Sequence, residues 1–372
     1  MRVLFASAPL LGHVFPMVPL AEALRAAGHE VLLATGGDGL DVRRTGLPVS
    51  DVAPALRFDR IARRVMLRHP LIARAELAGR AGTRGVALLF GAANDQLTDG
   101  VVTLADRWQP DLVVYEPLAV AGALAAARRA VPAVLHENSL FDGAELVRVT
   151  AARLVRAQHR SGIGDLRPNA ATLTIAPPSV VGERAGEPMR GVPFRGVGEL
   201  PDWLREPGDR PRILVSRSTV AGPGGGDVMT AVVRAAAGVN AEFVLVRPDR
   251  RILRRGSLPD NVRTVDWIPI NEALPNCAGV VHHGGAGSVL GALAAGVPQL
   301  ALPGPGDRRH NATLLAARGA GLAVAERDIT SAVLERLVTD RALAAAAEEV
   351  RREMAAMPAP ADLVPRLEAL AR

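Results

Sequence analysis

The chain has 372 residues, more than one hydrophobic core usually serves, so two domains are expected. Its formal charge of +6 rests on arginine, because all 44 residues counted as lysine or arginine are arginine; with aromatics at 3%, the basic and aromatic interleaving of a nucleic-acid surface is missing. A single cysteine, Cys277, excludes an internal disulfide and a cysteine-based metal cluster.

Arg2 to Ala6 reads as a buried first strand. The loop after it leads through Pro16, a favoured first helical residue, into a helix with Leu20, Ala23, Leu24 and Ala27 on one face. Gly28 stops that helix, Glu30 to Thr35 is the next strand, and Gly36 to Gly39 closes it as a loop. From 55 to 105 arginines alternate with apolar residues, in helices broken at Pro70 and between Gly79 and Gly85. Arg60, Arg63, Arg64 and Arg68 share one helical face there, either a solvated surface or a seat for an acidic group. Leu112 to Tyr115 and Ala133 to His136 are strands on either side of a small-residue helix from Pro117 to Arg129. Parallel strands joined by helices make this half a doubly wound α/β domain.

From Pro188 to Pro211 the composition shifts to proline, glycine and charge. The expected division is therefore a first domain at 1–192, a linker at 193–211 and a second domain at 212–357. The second α/β run opens with Arg212 to Ser216 and continues with strands Glu242 to Val246, Val262 to Val265, Val280 to His282, Gln299 to Leu302 and Gly321 to Ala325. Helices at 330–338 and 342–356 follow, and the segment 358–372, with a short helix from Asp362 to Ala371, is expected to pack back on the first domain. No basic-apolar-small leader precedes the first strand and no uncharged apolar run reaches membrane length, so a soluble cytoplasmic protein is expected, as a monomer or homodimer.

The stretch from Gly279 to Asn311 is the most informative. An apolar strand meets His282 and His283, passes through Gly284-Gly285-Ala286-Gly287-Ser288 into a helix pattern, and returns as another strand. That unit places backbone N–H groups at a helix N-terminus after a parallel strand, a position suited to phosphate. His283, Gly285, Gly287 and Ser288 are the candidate diphosphate ligands; His282 falls on the opposite side of the strand and reads as structural. At the other end of the chain, His13 follows the first strand at the sheet edge where ligands bind. A neutral imidazole there could take the proton of an attacking hydroxyl; the alternative is a histidine that caps the helix or packs in the loop.

Four stretches together resemble the inverting, NDP-sugar-dependent natural-product glycosyltransferases of the GT-B fold: RVLFASAPLLGHVFPMVPLAEALRAAGHEV at the start, NVRTVDWIP, HHGGAGSVLGALAAGVPQLALP and DRRHNATLLAARGAGLAV. With VPFRGVGELPDWL at the linker, the chain is most similar to bacterial enzymes that attach deoxysugars to antibiotic aglycones. The resemblance implies two Rossmann-like domains with a cleft between them and a dTDP- or UDP-sugar on the second. A hydrophobic small-molecule acceptor would lie on the first, lined by the 55–105 and 138–165 regions. It makes His13, within Gly12-His13-Val14-Phe15-Pro16, the general base, and Glu116, after the LVVY strand, the acid that orients it. The family often places an acid there, usually aspartate in the plant members, and a solvent-facing strand end is the other reading of Glu116.

By the same resemblance, Trp267 stacks on the donor base and the backbone at Ile268 reads its edge, against a core tryptophan as the plain alternative. Ser218 and Thr219 would add hydroxyls to the phosphate. Asp307 and Arg308 stand where relatives carry an Asp-Gln pair for sugar hydroxyls, which fits a deoxysugar; Asp307 could equally be a helix N-cap, and Asn311 lies on the same rim. No Asp-x-Asp triplet is present, so no metal or other cofactor is expected. A nucleotide-sugar epimerase and a catalytically silent partner of another transferase are the rival readings.

Overall fold

Two all-parallel sheets, each buried on both faces, account for thirteen strands in a computed structural model that describes residues 1–194, 198–218, 228–254 and 257–372, without the Arg251 side chain. In chain order the strands are β1 Arg2–Ala6, β2 Glu30–Thr35, β3 Val49–Asp51, β4 Leu112–Tyr115, β5 Ala133–His136, β6 Ala171–Thr174 and β7 Glu187–Pro188 in the first sheet. The second holds β8 Arg212–Val215, β9 Glu242–Val246, β10 Val262–Val265, β11 Gly279–His282, β12 Gln299–Ala301 and β13 Gly321–Ala323. The lateral orders are β3-β2-β1-β4-β5-β6-β7 and β10-β9-β8-β11-β12-β13. Each sheet therefore grows one way from its first strand, then reverses, with the reversal between β1 and β4 in one and between β8 and β11 in the other. Helices diverge at such a point and leave a crevice beyond the strand ends.

Three strands, β3, β6 and β7, carry no expectation from the sequence, being two to four residues long and partly polar. β7 lies in the first sheet, so the proline-rich stretch still belongs to that half at Glu187–Pro188. Gly37–Thr45, expected as a loop at its start, is a 3₁₀ helix that ends at Gly46. The helix expected from Pro117 begins instead at Ala121 and runs to Arg129. Between 55 and 108 the helices are Phe58–Arg68, Pro70–Leu77 and Thr83–Trp108, with breaks at His69 and at 78–82. Arg60, Arg63, Arg64 and Arg68 are all exposed, which is the solvated face.

The chain end ties the halves together. The helix Val364–Leu370 sets Val364 and Leu367 into an apolar cluster that contains Val3, Phe5, Leu20 and Leu24 of the first half and Leu290, Leu315 and Met354 of the second. Glu368 adds a 2.9 Å bond to His29, and Arg366 reaches Glu187 at 3.1 Å. No described helix is long and apolar enough to cross a membrane. Truncating the wholly buried Leu367 to alanine is expected to destabilise the protein by about 2–5 kcal/mol. Denaturant unfolding of the variant against the parent measures it.

Candidate active site

The two reversal points supply the site. After β1 the chain enters a single helical turn, Leu11–Val14, so His13 lies on a helical turn rather than in an open loop. Its Nδ1 is 3.3 Å from Oε2 of Glu116, the residue that follows β4. Glu116 is wholly buried and not a solvent-facing strand end. Its Oε1 accepts from the Ala8 amide at 2.9 Å, and its Oε2 from the Leu118 amide at 2.9 Å and Asn138 Nδ2 at 3.3 Å. Every neighbour is a donor, so the carboxylate is an acceptor throughout and the proton of neutral His13 is drawn to Nδ1. Nε2 is left with its lone pair. Asn138 also donates to the His13 carbonyl at 3.2 Å, locking the turn to the carboxylate.

His13 keeps 22% of its side-chain surface exposed. Burial lowers its pKa, but the Glu116 charge and hydrogen bond, with the Asp307 charge from the other half, together outweigh it and hold it above the ordinary 6.5. Beside the ring lies a small apolar cluster of Ala8, Phe90, Leu118 and Leu146, with Phe58 and Phe141 packed on it; the Phe90 ring is 5.5 Å from His13.

In the second half, β11 ends at His282 and the chain turns through Gly284, whose φ of +82° is open to glycine, into the helix Ala286–Ala295. His282 is wholly buried: its Nε2 pairs with Gln299 Oε1 at 2.8 Å and its Nδ1 accepts the Gly284 amide at 3.0 Å, which makes it a brace for the turn. His283 faces the turn instead. A Cβ at Gly285 would stand 2.5 Å from its Nε2, so the missing side chain leaves room for the ring where it lies. Burial, with smaller pushes from His282 and Arg308, brings the His283 pKa down to about 3 and keeps the ring neutral. Gly287 is exposed, with nothing within 4 Å of where a Cβ would stand, and Ser288 beside it is half-buried.

Asp307 is the N-cap residue of the helix Arg308–Arg318, but its side chain makes no capping hydrogen bond to that helix. Its backbone is already helical, so the side chain points elsewhere: Oδ2 accepts from the Ala286 amide at 3.2 Å and from Asn311 Nδ2 at 2.7 Å. Asn311 is wholly buried and also donates to the Gly284 carbonyl at 2.9 Å, so it braces the turn and does not reach the rim. Trp267, after β10, is 53% exposed and not a core tryptophan, with the Arg247 guanidinium 5.0 Å from its ring centre. Ile268 is buried in an apolar cluster with Val246, Ala273 and Leu274. Ser218 is half-buried after β8, and its carbonyl lies 3.5 Å from Arg247 Nη2. Thr219 falls outside the described residues.

The halves meet at the mouth of the cleft. Glu76, from the helix Pro70–Leu77, accepts the Gly306 amide at 2.8 Å, and His310 stacks on Phe141 at 4.2 Å between ring centres. These contacts bring Asp307 close enough for its charge to act on His13. The structure thus gathers His13, Glu116, His283, Gly285, Gly287, Asp307 and Arg308 at the facing edges, with Trp267 and Ser218 further along the second sheet. Asn138, Phe90 and Glu76 escaped the sequence reading. Asn138 could have been found as the polar residue just after β5, at the ligand-binding end of a parallel strand; Phe90 and Glu76 carry no local signal.

Two Rossmann-like domains with their strand ends turned towards one cleft define the GT-B class of glycosyltransferase, and solved structures of that class superpose on the whole chain. Glycosyltransferase SnogD from Streptomyces nogalater does so with a TM-score of 0.84 at 35% identity, covering 100% of this chain and 99% of that one. Glycosyltransferase SsfS6 from Streptomyces sp. SF2575, solved with thymidine diphosphate, gives 0.82 at 28% identity, covering 99% of each. Among named relatives, elloramycin glycosyltransferase ElmGT of Streptomyces olivaceus is 38% identical over 99% of this chain and 97% of its own. Aclacinomycin-T 2-deoxy-L-fucose transferase of Streptomyces galilaeus is 31% identical over 100% of this chain and 96% of its own. Residues 22–218 and 230–370 match the N-terminal and C-terminal domains described as erythromycin biosynthesis protein CIII-like, and the chain belongs to that family of glycosyltransferases.

The His13–Glu116 contact sets a titration. The imidazole, followed by NMR from about pH 5 to about pH 9, is expected to lose its proton with a midpoint above 6.5. In Glu116→Gln the raising charge is gone and burial dominates, so the midpoint is expected to move below 6.5.

Proposed function

We propose that this chain is an inverting, metal-independent glycosyltransferase that moves a deoxysugar from a dTDP-sugar to a hydroxyl of a bulky apolar aglycone in antibiotic biosynthesis. The observation that carries the reading is the His13–Glu116 pair, which stands beside an apolar cluster and faces the half that carries the glycine turn. Nε2 of His13 takes the proton as the acceptor oxygen attacks the anomeric carbon from the face opposite the diphosphate. The bond from that carbon to the phosphate oxygen breaks, and the diphosphate leaves with the electron pair. Configuration inverts because entry and departure are on opposite faces. Glu116 orients the ring and stabilises the imidazolium that forms.

The leaving group departs towards the N-terminus of Ala286–Ala295, where amides ahead of the first intrahelical bond, the Ser288 hydroxyl and the neutral His283 ring offer hydrogen bonds. Trp267 supplies an exposed ring for the base. The thymidine preference is supported by the thymidine diphosphate named with SsfS6, and the deoxysugar by the 2-deoxy-L-fucose named for the aclacinomycin relative. The aglycone is supported by the phenylalanines beside His13.

The reading is tested by supplying dTDP- and UDP-deoxysugars with polycyclic and macrolide aglycones and assigning the product anomer by NMR. The expected product has the anomeric configuration opposite to the donor's, and retention would overturn the mechanism. His13→Ala is expected to lower kcat by about 10²–10⁴-fold, with full activity excluding the base assignment. Trp267→Ala is expected to weaken dTDP binding by about 1–3 kcal/mol in calorimetric titration.

A further inference from the structure

A nucleotide diphosphate brings negative charge to the glycine turn, and the turn's other groups do little to balance it. His283 is neutral there. The Ala286 amide is already bonded to Asp307, which sets a carboxylate at the same helix end. Arg308 packs its backbone carbonyl and Cβ against this turn, 3.2 and 3.5 Å from where a Cβ on Gly284 would stand, and its charge is felt at His283. The side chain then runs along the neighbouring loop, with Cδ 3.2 Å from the Cβ position of Gly304.

Three features of Arg308 are unfavourable in isolation. It is half-buried yet makes no hydrogen bond or ion pair with any described residue. Asp307, its sequence neighbour, directs the hydrogen bonds of its carboxylate to Ala286 and Asn311, and its field offsets only part of the cost of burying the guanidinium. Arg308 also opens a helix whose first turn holds no acid, where a cation opposes the helix dipole. A bound anion relieves all three at once. A local rule broken with only partial compensation within the protein, here the neighbouring Asp307 carboxylate, points to a functional position.

We infer that Arg308 is the cation that holds the donor's diphosphate at the glycine turn, in addition to whatever it offers the sugar. The assignment rests on the nucleotide-donor reading above and names the residue that answers its charge. A guanidinium can grip two phosphate oxygens in parallel, which a neutral histidine cannot.

Calorimetric titration of the full chain with dTDP, UDP and thymidine tests it, in the parent and in Arg308→Ala, Arg308→Lys and Arg309→Ala. Arg308→Ala is expected to weaken the preferred nucleoside diphosphate by roughly tenfold or more while leaving thymidine binding unchanged. Arg308→Lys should recover part of the loss, and Arg309→Ala, which removes the same charge one residue away, should bind like the parent. Unchanged diphosphate binding in a folded Arg308→Ala, or an equal loss for thymidine, overturns the assignment. If the alanine variant does not fold, Arg308→Gln carries the same comparison. A parent that binds none of the three nucleotides overturns the donor reading itself, and that result is distinct from either outcome at Arg308.

Discussion

Strand order reverses once in each sheet, and that reversal is the constraint on which the rest of the molecule depends. Right-handed crossovers send helices to opposite faces on the two sides of such a point, so the loops there have no helix directly over them. In the first half the exposed ends belong to β1 and β4, which deliver His13 and Glu116. In the second they belong to β8 and β11, which deliver Ser218 and the turn from His283 to Ser288. One topological rule, applied twice, brings these loops to the exposed ends of both sheets.

Around those loops the structure commits its polar groups to holding shape. Glu116 has both oxygens tied to backbone amides, which fix the carboxylate in place. His282, Gln299 and Asn311 are buried and bonded to the glycine turn or to each other, and Asp307 bridges the turn to the next helix. A turn held by three side chains can present amides in a fixed geometry, which is what electrostatic stabilisation of a leaving group requires. The adjacent histidines illustrate the economy of this arrangement: burial keeps both neutral, yet one is internal bracing and the other faces the turn.

The contacts across the cleft couple the two halves. Glu76 on the Gly306 amide and Phe141 on His310 bring the Asp307 carboxylate within electrostatic reach of His13. The basicity of a histidine in the first half therefore depends in part on a residue some three hundred positions later, and opening the cleft would alter both the geometry and the charge that the imidazole meets.

Much of the fold could be read from residues alone. Apolar runs such as Arg2 to Ala6 and Glu242 to Val246 bury both faces of a parallel strand and are legible for that reason, as are the glycine turn and the Gly-His-x-x-Pro loop, whose spacing is local. Short strands such as β3 and β7 were not legible, because two or three partly polar residues carry no periodicity and are extended only when a neighbouring strand pairs with them. The same holds for the site. Position beside a strand end named His13 and His283, and the family resemblance named Glu116 and Asp307, but sequence could not say that Asp307 also bonds to a different helix from the one it begins, that Glu116 is buried, or that Asn138 and Phe90 stand beside His13. Those facts depend on distances between segments far apart in the chain, and only the packing of the two sheets sets such distances.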